Sequence, residues 1–165
     1  MSVNLQKKKT IIQKIKKISK KSLSAVVANS TQINVNQINI LRKQARQNGV
    51  KINVVKNTLL KRAIENTPFQ CLQKTLKNFT LIAHSIEHPG SAAKLLYLFS
   101  KENKTFKIKG ASFEGKFIDP KNIEKLASIP TYKESIQKLI FILKEAAIGK
   151  FIRILTSIKI QKEKN

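Results

Sequence analysis

Few residues in this chain are equipped to make or break bonds. Its two histidines stand together in His84-Ser85-Ile86-Glu87-His88, which spells the H-x-x-E-H pattern of a class of zinc proteases. That chemistry needs both imidazoles on one helical face and the carboxylate beside a metal-bound water. The context predicts otherwise. The string follows a strand-like run from Phe79 to Ala83, Pro89 pushes His88 out of the helical region, and the sequence offers no evident third ligand. The single Cys71 permits no internal disulfide and points to a reducing compartment. Between Phe69-Gln70 and Leu72 it is expected as a small buried apolar residue rather than a nucleophile. No Walker motif, dinucleotide fingerprint or paired-cysteine site is present, so neither a metal nor a cofactor is expected.

Anion binding is far better represented. Val50, Ile52, Val54 and Val55 nearly alternate and are β-branched, which suits a partly buried strand. Asn57 then stands where an N-cap belongs, ahead of Thr58-Leu59-Leu60-Lys61-Arg62-Ala63-Ile64. Unpaired backbone N–H groups at a helix start, with Lys56 beside them, suit a phosphate. Lys61 and Arg62 follow one turn later.

Charge points the same way. The net charge is +24, and its distribution is one-sided. Residues 1 to 64 hold fifteen Lys or Arg and no Asp or Glu, and all nine acids lie from Glu65 onward. Codon drift in an AT-rich genome raises Lys, Ile and Asn generally but does not explain an acid-free half. A one-signed half is the footprint of a polyanion site.

The elements that position these groups read as follows. A first helix covers residues 4 to 20, with a ragged stripe of Leu5, Ile11, Ile12, Ile15 and Ile18. A strand spans Ser22 to Ala28, and a polar turn spans 29 to 36. A second helix from Asn36 to Asn48 puts Ile38, Ile40, Leu41 and Ala45 inward and ends at Gly49. The strand at Val50 and its helix follow, then a short helix after Thr67-Pro68. A strand from Phe79, a helix opened by Pro89-Gly90, a strand region from Phe106 to Phe113, a turn at Gly115-Lys116 and a last short helix after Asp119-Pro120 complete a compact part ending at Ile129-Pro130.

From Thr131 to about Lys159 no strong breaker occurs except Gly149. Ile136, Ile140, Leu143, Ala147, Phe151, Ile154 and Ile158 recur at spacings of three and four, a heptad-like seam. Leu139, Ile142, Ile148, Ile152 and Leu155 widen it. Such a stripe either folds back or offers an apolar face to other proteins. Gly149 is placed to kink the helix or divide it into two docking segments. The longest apolar run, Leu139 to Leu143, is too short to span a bilayer, and no secretory signal precedes it. A cytoplasmic protein is expected, with a lipid-surface helix as the competing reading of the C-terminal stretch.

Several short strings carry a resemblance. They are Leu23-Ser24-Ala25-Val26-Val27-Ala28, Leu41-Arg42-Lys43, Gly49-Val50, Asn57-Thr58-Leu59-Leu60-Lys61-Arg62-Ala63, Glu65-x-Thr67-Pro68-Phe69, Glu87-His88-Pro89-Gly90-x-Ala92-Ala93, Phe113-Glu114-Gly115 and Leu126-Ala127-x-Ile129-Pro130-Thr131-Tyr132. End to end the chain resembles the stalk-base family of the bacterial large ribosomal subunit, large-subunit ribosomal protein ten. The resemblance implies an α/β (α+β) fold. An α-β-plait-like N-terminal domain with a mixed sheet covered by helices would be followed by a long extended C-terminal helix. It implies that residues 1–130 bind 23S rRNA beside ribosomal protein eleven. Residues 131–165 would dock dimers of the acidic stalk protein, which recruit and stimulate translational GTPases. The chain departs from better-known relatives in charge, with Lys or Asn where acids are expected in the first helix and near the C-terminus.

The leading reading is therefore a non-enzymatic scaffold, cytoplasmic and part of the large ribosomal subunit, with no membrane partner. Its RNA-binding candidates are Lys7, Lys8, Arg42, Lys43, Arg46, Lys51, Lys56, Asn57, Lys61 and Arg62, chiefly through phosphates. Its stalk-protein-binding candidates are Ile136, Leu139, Ile140, Leu143, Ala147, Phe151, Ile154, Leu155 and Ile158, a helix laid into a groove. Base stacking is not expected near the cationic residues. The alternative is a basic RNA-binding or RNA-processing protein outside the ribosome. A processing enzyme needs a general acid and base near the cations, and the basic half has no Asp, Glu or His.

Overall fold

The computed structural model describes residues 5–29, 31, 33–103 and 105–164, with the backbone alone described at 147, 148, 163 and 164. The expectations at Asn4, Ser30 and Gln32, and for the side chains of Ala147 and Ile148, lie outside the described residues. The chain divides into two compact units, residues 1–129 and 130–165.

The first unit is built on one sheet. Its strands are β1 (Ser24–Asn29), β2 (Val50–Val54), β3 (Thr80–Ser85), β4 (Ile108–Phe113) and β5 (Lys116–Ile118), in spatial order β2-β3-β1-β4-β5. Helices α1 (Leu5–Lys21), α2 (Val35–Gln47), α3 (Asn57–Ile64), α4 (Ser91–Glu102) and α5 (Ile123–Ala127) surround it. The central strands β1 and β3 are buried on both faces, so they read as continuous apolar runs rather than alternations. Alternate residues of β1 still serve different cores. Val26 and Ala28 join Leu41, Ala45, Leu96 and Phe99 on one face. Ala25 and Val27 join Ile15, Leu60, Ala63, Ile64, Phe69 and Leu72 on the other.

The α/β class is as expected, and the connections β1-α2-β2 and β3-α4-β4 form the interleaved pair of a split β-α-β fold. The sheet is not mixed, however. Every pairing, β1 with β3, β1 with β4, β2 with β3 and β4 with β5, is antiparallel. Each crossover joins two parallel strands, but a strand of the other crossover fills the gap between them. Chain order displays the crossovers and hides the interleaving. The turn expected at Gly115-Lys116 is a tight hairpin through Glu114 (φ 51°) and Gly115 (φ 76°). Two successive positive-φ residues mark a type I′ turn. The sequence reading finds the turn but not β5, which has only three residues, too few to show a period. Cys71 is half-buried rather than buried, with its Sγ–H donating to Ser112 Oγ at 3.1 Å.

The second unit is helical: α6 (Tyr132–Lys144), a π-helical segment Glu145–Gly149, and α7 (Lys150–Lys164). The run from Tyr132 to Lys164 is ~50 Å long at about 1.5 Å per residue. Its start is a capping box, in which Glu134 N–H donates to Thr131 Oγ1 at 3.4 Å and Thr131 N–H donates to Glu134 Oε2 at 3.0 Å. The Thr-x-x-Glu spacing that signals such a box is legible in the sequence. Gly149 closes the π segment, where the helical hydrogen-bond ladder changes step. An Arg153–Glu145 ion pair spans that segment.

Candidate nucleic-acid interface and docking helix

The strand-to-helix junction expected to hold a phosphate forms, with one change in its parts. Lys56, not Asn57, is the cap residue of α3: its carbonyl accepts from Leu59 N–H and Leu60 N–H, both at 3.0 Å. Asn57 is the first helical residue. Its side-chain amide donates across to Asn78 O at 2.7 Å and Leu76 O at 3.3 Å, so it fastens the loop before β3 instead of capping its own helix. The N–H groups of Asn57 and Thr58 precede the first intrahelical bond of α3 and lie beside Lys56. This junction lines an open cleft of about 750 Å³ together with Val54, Thr58, Asn78, Phe79 and Thr80.

The nine candidate cations are all exposed, and among the described residues none is ion-paired with a carboxylate. They do not form a single cluster. Lys7 and Lys8 ride on α1, and Lys61 and Arg62 on α3. These two helices pack together over one sheet face through Ile15, Leu60, Ala63 and Ile64. Arg42, Lys43 and Arg46 ride on α2, whose Leu41 and Ala45 are buried on the opposite face. Lys51 lies on β2, an outer strand of the sheet, and Lys56 follows just after it. Arg42, Arg46 and Lys51 line a groove of about 560 Å³ between α2 and β2. That groove and the α3 cleft both include Val54, so a cationic path rounds the sheet edge. Gly49, just before β2, takes φ +64°, a conformation that favours glycine.

The H-x-x-E-H residues turn to separate tasks. His84 is a strand residue, fully buried, with Nε2 3.0 Å from Ser19 Oγ and Phe69 edge-on at a 6.1 Å ring separation. Burial lowers its pKa to about 4, so it is neutral near pH 7. Glu87 lies over Gly49, where a Cβ would come within 2.9 Å of its carboxyl carbon. His88 Nδ1 accepts from Gly90 N–H at 3.1 Å. No group of three or more His, Cys, Asp or Glu among the described residues is arranged to hold a metal ion.

Two features of the junction escape a sequence reading. Phe79 reads as the first residue of a strand, but β3 begins at Thr80 and Phe79 is 69% exposed, lining the same cleft as Lys56. Asn78, in the left-handed region at φ 58°, turns the chain just before it. Lys109 on β4 donates to Lys77 O and to Thr80 Oγ1, holding the same loop from its other side. Partial burial lowers the Lys109 pKa.

In the helical unit, Ile136, Leu139, Ile140, Leu143, Phe151, Ile154, Leu155 and Ile158 are all exposed. No described side chain of α6 or α7 is buried. Phe141, outside the expected seam, is 64% exposed and extends the apolar surface. No helix among the described residues is long and apolar enough to cross a membrane.

Comparison with known proteins adds two findings. The model of the family described as ribosomal protein L10 matches residues 3–101. Proteins named large ribosomal subunit protein uL10 are similar over nearly the whole chain. That of Buchnera aphidicola subsp. Schizaphis graminum is 55% identical over 163 residues, covering 99% of each chain. Those of Yersinia enterocolitica and Shewanella denitrificans are each 48% identical over 163 residues, covering 99% of this chain and 98% of the relative.

Proposed function

The chain belongs to the ribosomal protein L10 family, structural proteins of the large ribosomal subunit and not enzymes, and from that premise we propose that it is the base of the ribosomal stalk. Membership replaces the alternative of an RNA-processing protein outside the ribosome. The finer reading has two parts. The first unit binds 23S rRNA, beside ribosomal protein eleven, through the cations that border β2 and cover α1 and α3. The second unit carries acidic stalk-protein dimers that recruit translational GTPases.

The observation that carries this reading is the apolar helix. Eight seam residues from Ile136 to Ile158 are each between 39% and 65% exposed. Apolar surface of that extent is stable in water only when a partner removes it, and burial in small helical partners is a helix-in-groove arrangement. Several copies on one helix raise the local concentration of factor-recruiting domains. In the first unit, unpaired cations on exposed surface supply affinity and register through phosphates, while RNA shape supplies recognition.

Native mass spectrometry of this protein co-expressed with the acidic stalk protein tests the reading. The expected result is a complex carrying more than one stalk dimer, reduced to none when residues 133–165 are deleted. A bare, soluble monomer overturns the docking role.

A further inference from the structure

We propose that the cleft at the start of α3 takes an unpaired RNA base, stacked on Phe79, with the phosphate of the same strand held at Lys56. This rests on the RNA-binding reading above and deepens it, from phosphate contact alone to recognition of a single-stranded nucleotide.

The argument begins with an anomaly of burial. Phe69, Phe99 and Phe106 are 1%, 5% and 2% exposed and Phe117 is 40% exposed, whereas Phe79, at 69%, is the most exposed phenylalanine of the first unit. An exposed ring on a floppy loop would mean little, but this one is held. Asn57 donates to the carbonyls of Leu76 and Asn78 on one side. Lys109 bonds Lys77 O and Thr80 Oγ1 on the other. Thr80, the next residue, is 2% exposed and opens β3. The ring is thus presented in advance, and a ligand that stacks on it pays little to order it.

The surroundings decide the class of occupant. The cleft puts an apolar wall, Phe79 and Val54, next to a cation and a helix start, Lys56 and Thr58. A nucleotide offers both matching halves, a flat aromatic face and an anion. Residues 1 to 64, which supply most of the cleft's wall, contain no acid, so a polyanion is favoured there over a mixed-charge peptide. Stacking accepts any base because every base has a π face. The site therefore selects for an unstacked nucleotide rather than for a sequence. Asn57 acts here as a positioning residue through the Asn78 backbone.

The test uses the full chain and a 23S rRNA transcript, with affinity measured across a salt series. Phe79→Ala and Phe79→Leu are each expected to weaken binding roughly 5- to 100-fold, the range for loss of one stacked base, without changing the salt slope. Phe79→Tyr, which keeps the ring, restores affinity. The triple variant Lys56→Ala, Lys61→Ala, Arg62→Ala flattens the slope by about 2 to 3, because three phosphate contacts are lost. Irradiation of the complex at short ultraviolet wavelength should crosslink RNA to the peptide containing Phe79. Affinity unchanged in Phe79→Ala, affinity retained in Phe79→Leu, or crosslinks confined to other peptides overturns the stacking site while leaving RNA binding standing. A parent chain that does not bind the transcript overturns the RNA-binding reading itself, and the stacking site with it.

Discussion

Leu96 in α4 and Leu139 in α6 are the same side chain on helices with apolar stripes, yet Leu96 is fully buried and Leu139 is 56% exposed. In the first unit each helical stripe meets the sheet. α4 and α2 close one face, α1 and α3 the other, and the two cores hold nearly every large apolar residue of those helices that faces inward. The second unit is helical from Tyr132 to Lys164 and has no sheet of its own. Its stripe repeats as regularly as that of α4, and no described side chain of α6 or α7 is buried. An apolar period thus predicts that a face must be covered and leaves open by what: the first unit answers with its own sheet, and for the second the proposed answer is a partner.

This contrast can be broken outright at the helix. Leu143→Asp combined with Ile154→Asp should abolish stalk-dimer loading, read by native mass spectrometry, with no loss of affinity for the 23S rRNA transcript. Retained loading would mean that the wrong face has been assigned. The next largest effect compares one substitution in both units. Leu96→Ala should cost about 2–5 kcal/mol of stability, as for deletion of a buried leucine side chain, while Leu139→Ala should fall within about 0.5 kcal/mol of the parent, as for surface changes. Urea midpoints measure both. Equal costs would show that α6 is covered within the chain.

A smaller, graded effect belongs to the first unit alone, since both histidines lie there. The pKa of His84 is lowered by burial from 6.5 to about 4. Between those values the unfolded chain binds a proton that the folded chain refuses. Stability should therefore fall as pH falls from about 6.5 toward 4, by up to about 3 kcal/mol. His84→Phe should flatten that window in urea titrations, with the carboxylates accounting for whatever slope remains. An identical slope in the variant would remove His84 as the cause.

Much of the fold was legible because it rests on local patterns. The periods of α1, α2, α4 and the C-terminal helix, the stop at Gly49 and the opening of helices near Pro89 and Pro120 are all written within a few residues, although Ile40, expected inward on α2, is 56% exposed. The candidate site was legible in type but not in arrangement. Asn57 looked like a cap because Asn before a helical run usually is one. It became a tie to Asn78 because the loop before β3 passes within hydrogen-bond reach, a contact across twenty-one residues. Phe79 reads as the start of a strand because it stands next to a β-branched and apolar run. The left-handed turn at Asn78 put it in the solvent beside Lys56.

By itself, the sequence determined the sign of the charge that the first 64 residues carry, since that stretch holds fifteen cations and no acid and so attracts anions. It also determined that residues beyond 130 form a helix with an apolar face to cover, because period and charge are properties of adjacent residues. Only the tertiary structure decided that the sheet is antiparallel throughout, that Arg42 and Arg46 of α2 share a groove with Lys51 of β2, and that a ring shares a cleft with Lys56. Each of these depends on which distant segments pack together, and that is settled by burying two cores at once on a single sheet.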